Sequence, residues 1–261
     1  MSILAELREV IAARELAWML AAREIRVRYK HTVLGIGWAL AVPLCLMLVF
    51  TFLFSRVARV STGSLPYAVF VYLGLVPWQF HASVLTASAR CLTENRNLVT
   101  KVYFAREALP LSVVFSALAD FAVAALVLVV LMAWYAVVPG WGLLLVPLVL
   151  AVQVALSIGL AFLFSAGNLL YRDVQYLLQV LVLVWMFASS VVYPIPRTGN
   201  LAWLAWLNPM TPILDAYRGL IVGGETWFKP EFGVAALVSL VLMVFGWRWF
   251  RGVEGKFGEL A

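Results

Sequence analysis

The sequence predicts an all-α integral membrane protein, and three observations carry that reading. Of its 261 residues 64% are hydrophobic and only 12% charged, against about 25% charged in soluble domains. Mean hydropathy is +0.98. Charge-free runs recur at the length of about 20 residues that an α-helix, rising ~1.5 Å per residue, needs to cross a ~30 Å hydrocarbon core. The charges gather between those runs.

Residues 1–30 form the first element, an amphipathic interface helix. Leu4, Ile11, Trp18 and Ile25 recur every seven residues with Leu7 and Ala22 on the same side, opposite Glu6, Glu9, Arg23, Glu24 and Arg26. Such a helix lies flat on the membrane, its apolar side in the lipid boundary. Two readings are open, an anchor that orients the first span and a helix that shapes an entrance. The segment lacks the continuous apolar core of a cleavable secretory signal, so the N-terminus is expected to stay in the cytosol.

Residues 31–261 read as a six-span transmembrane domain, with spans at about 33–55, 66–89, 108–138, 141–167, 176–192 and 232–250. The first follows the basic cluster Arg26, Arg28, Lys30 and His31 directly, carries no charge from Val33 to Ser55, and is kinked by Pro43. Pro77 and His81 interrupt the second. The third exceeds what a perpendicular span needs, so it tilts or starts in the interface, and Pro110 suits its first turn. Its one charge, Asp120, should face the bundle interior, and a structural partner is the simpler reading than a proton relay. Between Tyr193 and Pro230 neither apolar half reaches span length. Asn208-Pro209 divides them, Thr211-Pro212 starts a helix and Gly223-Gly224 stops it. A re-entrant hairpin at about 198–222 fits, provided that protein or a water-filled cavity covers its ends; an external loop lying on lipid is the alternative.

Lys and Arg settle the orientation. With six spans both ends share one side, and that side holds 14 of the 19 basic residues, which places both termini in the cytoplasm. The net charge of +6 therefore describes an inner membrane face and its lipids, not a nucleic-acid surface. Cys45 and Cys91 sit in or beside apolar runs as small buried residues, at a spacing that suits neither a disulfide framework nor a metal site. With His31 and His81 as the only histidines, no Gly-x-Ser-x-Gly, no His-Glu-x-x-His and no phosphate-binding loop, the chain is read as no enzyme, binding neither metal nor ATP itself.

Five motifs then resemble one family. RYKHTVLGIGWALAVP, VPWQF at Val76–Phe80, NLVTKVYFARE at Asn97–Glu107, NLLYRDVQY at Asn168–Tyr176 and LNPMTPILDAYRG at Leu207–Gly219 are similar to the transmembrane subunits of polysaccharide ABC exporters. The resemblance is to O-antigen exporters of the Wzm type, and more distantly to capsule and teichoic acid exporters. Ala105 stands where many relatives have proline before the Arg-Glu pair. The resemblance implies a homodimer in the bacterial inner membrane with two copies of a nucleotide-binding subunit, which binds ATP and Mg and drives export of a lipid-linked glycan. Drug or lipid ABC exporters, and a membrane glycan-modifying enzyme, are the alternatives.

The resemblance also assigns roles. Arg26, Arg28, Tyr29 and Lys30, with the Leu34-Gly35 turn, would receive the substrate's pyrophosphate at headgroup depth; generic attraction to anionic lipid, about 1 kcal/mol per basic residue, is the competing account. Glu94, Asn95, Arg96 and Lys101 would contact the ATPase through a short coupling helix, with Arg172 and Asp173 as a second contact. A solvated loop is the plainer reading of that segment. Tyr72, Trp78, Phe80 and Trp185 are the candidate channel-lining rings, although most aromatics in such chains are belt anchors or packing. The two outer half-helices, 198–207 and 212–222, would form the exit gate.

Overall fold

A computed structural model of the chain describes residues 14–30, 32, 35–63, 65–102, 104–195, 203–223, 229–255 and 257. The described helices are α1 (Arg14–Lys30), α2 (Trp38–Phe50), α3 (Tyr67–Glu94), α4 (Arg96–Lys101), α5 (Ala108–Trp134), α6 (Val146–Leu170), α7 (Val174–Phe187), α8 (Trp203–Leu207), α9 (Met210–Val222) and α10 (Pro230–Glu254). Single tight turns at Gly35–Gly37 and Trp141–Leu145 lead into α2 and α6, and α2 is continued by widened turns over Thr51–Val57. Leu34, the first 13 residues, 196–202 and 224–228 lie outside the described residues, and with them part of the predicted interface helix and hairpin.

Among the described residues five helical segments are long and apolar enough to cross a membrane: Trp38–Val57, Tyr67–Glu94, Ala108–Trp134, Trp141–Leu170 and Pro230–Glu254. The axis is α3, buried on nearly all sides, with α5 and α6 along it and α2 and α7 against its flanks. Pro77 sits within α3, and the Pro77 carbonyl accepts from Gln153 Nε2 at 2.7 Å while Tyr217 donates to Gln153 Oε1 at 2.9 Å. The buried amide of Gln153 is thus satisfied at both ends, as an apolar interior requires.

The span expected at 176–192 falls on a shorter helix. The helix there, Val174–Phe187, has 14 residues, or ~21 Å, short of a bilayer core. Residues 188–192 turn inward instead, because side chains take over their carbonyls. Asn208 Nδ2 donates to Ala188 O at 2.9 Å, Arg218 Nη2 to Val191 O at 2.9 Å, and Tyr67 to Val192 O at 2.5 Å. The hairpin's second half is α9, which starts at Met210 beside the expected Thr211-Pro212 and ends at Gly223, in the left-handed region at φ +72°. It is buried against α3, α6 and α10, and the Gly140 amide of the α5–α6 connection donates to Ile221 O at 3.0 Å.

The most extensive packing joins α6 and α10, and two glycines make it possible. A Cβ on Gly159 would lie 2.5 Å from the backbone of Leu242, and one on Gly246 would strike the Gly159 carbonyl. Backbones touch where small residues cross, the usual basis of close helix association in lipid. Gly246→Val is therefore expected to separate the pair and lower stability by about 1–3 kcal/mol or more, read as thermal unfolding in detergent. Gly252→Ala, an exposed helical position with open space around it, is expected to cost nothing and to gain up to ~1 kcal/mol of helix propensity.

Candidate functional site

One end of the bundle gathers α1, the C-terminal ends of α3, α6 and α10 and the start of α5. Its apolar base includes Cys91, Leu92, Leu109, Phe162, Leu169, Phe250 and Phe257. On α1 the positions 17, 21, 24 and 28 share a face. Ala17 and Ala21, at 0% and 1% exposure, let the helix approach Ala108 and α5 closely. Trp18, on the predicted apolar stripe, remains 64% exposed and meets Phe115 edge-on at 6.2 Å. The docking face and the lipid-type stripe are thus two neighbouring sides of one helix.

The next turn of the docking face carries the charge. Arg28 Nη1 donates to Asp120 Oδ2 at 2.7 Å and Arg28 Nη2 to Glu24 Oε1 at 2.5 Å, while the Tyr29 hydroxyl donates to Asp120 Oδ1 at 2.8 Å. Asp120, the one charge of α5, is engaged through both oxygens. Burial and then the Asp120 carboxylate push the Tyr29 phenol up to about 12, so it stays a donor. Burial works against the Arg28 charge, but Glu24 and Asp120 outweigh it and the net shift is upward. Burial raises Glu24 in spite of Arg28. Of the expected headgroup residues, Arg28 and Tyr29 come together with Thr32 and Asp120 around a cavity of about 360 Å³. Arg26 and Lys30 are exposed, Arg26 donating to Ala22 O at 3.2 Å, and Gly35 turns in the left-handed region at φ +54°.

The coupling candidates form a second group. Glu94 ends α3, Asn95 marks the break, its Nδ2 donating to Cys91 O at 2.9 Å, and Arg96 and Lys101 lie exposed on α4 with Val99 tucked beneath. Sequence reasoning did not single out what holds this segment. Arg106 Nη1 donates to Glu254 O at 2.6 Å and Nη2 to Val99 O at 3.4 Å, while Glu107, with a side chain 2% exposed, accepts from Arg251 Nε at 2.6 Å. The turn at Ala105 closes without proline, Ala108 N donating to Ala105 O at 3.0 Å. Arg172 and Asp173 are exposed in the α6–α7 turn, where Asn168 Oδ1 accepts from Gln175 N at 3.0 Å. Between α1, α3 and α5 a cavity of about 350 Å³ is lined by both groups, Arg23, Glu24 and Arg28 facing Arg90, Glu94 and Asn95.

Of the aromatic candidates, Tyr72, Trp78 and Phe80 are buried within the protomer, where protein encloses α3, and Phe80 also lines the cavity of about 360 Å³. The Tyr72 hydroxyl donates to Ala124 O at 3.1 Å, and Phe80 packs on Phe121. Trp78, His81 and Trp185 form one ring cluster, with the half-buried Trp185 donating to Asn208 Oδ1 at 2.8 Å. Arg218 needs correction. Counted from sequence as an outer-loop charge, it is buried, donating to Phe70 O and Val191 O and pairing with Asp215 at 3.5 Å. Removing it from the count leaves the basic excess in place. The signal for it was available, since Asp215 and Arg218 stand three apart on a helix in an apolar stretch. Among the described residues no group of three His, Cys, Asp or Glu side chains could hold a metal ion.

Residues 15–222 match the family model of the ABC-2 type transporter. The chain belongs to the ABC-2 type transporter membrane family. It is 30% identical over 256 residues, 97% of each chain, to an O-antigen export system permease protein from Myxococcus xanthus. A protein of the same description from Klebsiella pneumoniae is 28% identical across 94% of this chain and 95% of its own length. A polysialic acid transport protein from Escherichia coli is 23% identical across 89% and 91%. ABC-2 membership implies an ATP-binding partner, and it gives the two polar groups at one end of the bundle their context.

Four outcomes are expected of this geometry. Asp120→Ala should loosen α1 by about 1 kcal/mol, the scale of a part-exposed pair, seen as faster amide exchange over 17–30. The same docking should persist to pH ~10 and fade towards 12, because a phenol whose folded pKa is raised from 10.0 to about 12 contributes fully below the unfolded value and loses its effect through the folded one. Arg218→Met should cost about 3–5 kcal/mol, as when one partner of a buried pair is removed. Arg218→Lys should restore only part of that, lacking the planar fork, both measured as unfolding in detergent.

Proposed function

We propose that this chain is the membrane-spanning subunit of a polysaccharide ABC exporter, moving a lipid-linked, O-antigen-like glycan across the bacterial cytoplasmic membrane. The observation that carries the reading is similarity along 97% of both chains to an O-antigen export permease. Two copies of the chain pair as a homodimer, each with a nucleotide-binding subunit on which ATP and its Mg bind. The broad apolar faces of α2 and α7, with Phe52, Leu177 and Val184 outward, suit lipid on one side and a second copy on the other.

The ends of α3 and α6 face the cytosol in this reading, as do both termini, in keeping with the basic excess on that side. There Glu94 at the end of α3, Asn95 at the break, Arg96 and Lys101 on α4, and the turn at Arg172 and Asp173 offer polar side chains to the ATPase. Arg106 and the Glu107–Arg251 pair fasten that segment to α10, so a push on α4 reaches a span directly. Exposed Arg26 and Lys30, beside Arg28 and Tyr29, present cations and a phenol to a pyrophosphate at headgroup depth.

Vesicles carrying this chain with its ATPase and a lipid-linked glycan should accumulate glycan in their lumen with ATP, and none without the ATPase. Transport by the chain alone would overturn the proposal. Reversing the charge of Arg96 and Lys101 to Glu should cut export by an order of magnitude or more, at unchanged protein abundance, if each contributes the ~1.5–3 kcal/mol of a charged hydrogen bond to the docked partner.

A further inference from the structure

Two non-helical links join the six-residue α4 to the rest of the chain. Asn95, at φ −102° and ψ 30°, separates it from α3, and the chain leaves it through extended Val102 at φ −121° and ψ 133°. Rotation about such soft backbone dihedrals absorbs movement. The packing of α4 itself is slight, since of its side chains only Val99 is buried. The end of α10 supplies the grip. The Arg106 guanidinium donates both to Val99 O on α4 and to Glu254 O on α10, and it stands 5.7 Å from the centre of the Phe257 ring. Buried rings follow one another inward from there. Phe257 meets Phe250 at 5.1 Å, and Phe250 meets Phe162 of α6 at 5.2 Å. The Glu107–Arg251 pair, at 2.6 Å, locks the same corner. Phe162 lies about two turns before the end of α6 at Leu170, and Arg172 and Asp173 follow at once.

We infer that this file of side chains, from Arg106 through Phe257 and Phe250 to Phe162 and braced by Glu107 and Arg251, carries movement of α4 into α10 and α6. The inference rests on the reading that α4 and the turn at Arg172 and Asp173 meet the ATPase, and it adds the path that makes those two contacts act on one body. The competing path runs along the chain into α3 and α5 and needs none of these side chains. Packing decides between them, because close-packed interiors transmit displacement while the links at Asn95 and Val102 dissipate it. Phe162, Phe250 and Phe257 are positioning residues, acting on the cargo only through the helices they join.

The full chain in complex with its ATPase tests this by amide exchange and by glycan exported per ATP hydrolysed in vesicles. Adding ATP to the wild-type complex should change exchange over 96–101, 246–254 and 160–170 together. In Phe250→Leu and in Glu107→Gln the response over 96–101 should remain, and that over 160–170 should vanish. Glycan exported per ATP should fall about fivefold or more, the low end of coupling between two sites, with ATP hydrolysis retained. Arg251→Lys, which keeps an ion pair, should hold most of the wild-type ratio. Should Phe250→Leu or Glu107→Gln lose its cooperative melt in detergent, Phe257→Leu at the outer end of the file should give the same uncoupling. An unchanged ratio in the folded variants, or an α6 response that survives in them, overturns the inference and leaves the exporter reading standing. A wild-type complex that exports no glycan overturns that reading instead, and the exchange pattern, which requires only ATP binding by the partner, still decides the path.

Discussion

A backbone that leaves helical geometry inside a bilayer survives only where protein supplies the hydrogen bonds that lipid cannot. In the half of this molecule around α9 one guanidinium does most of that work. Arg218 reaches the carbonyls of Phe70 and Val191, the hydroxyl of Ser190 and the carboxylate of Asp215, with its plane 3.8 Å over the Phe70 ring. It approaches so closely that a Cβ on Gly74 would stand 2.5 Å from its Nη2. The non-helical turn at 188–192, the buried α9 and the glycine-rich α5–α6 connection resting on α9 all depend on that fork. A lysine offers three donors from a point and cannot reproduce it.

The opposite end is built on different terms. Arg28, Glu24, Asp120 and Tyr29 meet where side chains are part-exposed, so water competes for each bond and the interface helix is held with a modest free energy. Arg251 and Glu107, in contrast, are largely removed from water, and Arg106 closes the same corner on the last carbonyls of α10. The segment around α4 is therefore stiffly joined to α10, which in turn locks onto α6 by glycine contact. The helix α1 is the more easily released part.

Much of the architecture was legible in the sequence because lipid imposes a simple rule on length and apolarity. The long helices fall where the charge-free runs predict them, and Gly223 ends α9 where a glycine pair marked the stop. Asp120 was expected to find a partner inside, but which partner depended on α1 docking through Ala17 and Ala21 rather than through its apolar stripe, and small residues carry little signal. The shortness of the helix at 176–192 has a plain cause. Apolarity fixes that a segment is away from water and says nothing of whether distant side chains, here Asn208, Arg218 and Tyr67, will take its carbonyls. The surroundings of the α3 aromatics were equally illegible, because only the positions of α5 and α6 show which surfaces pack around them.

The enclosure of α3 bears on how the chain is made. Apolar α2 leaves the ribosome first and can partition into lipid unaided, since few of its side chains need protein around them. The next segment out carries Pro77, Gln79, His81 and Ser88, and is the least apolar of the five. Its shelter comes from α5 and α6, which are synthesised later. Until they arrive, polar groups at membrane depth have no native neighbours, a state that insertion free energies disfavour. Biogenesis should hold α3 at the insertion machinery until its enclosing helices have been delivered, which makes translation speed between residues 94 and 170 a determinant of yield.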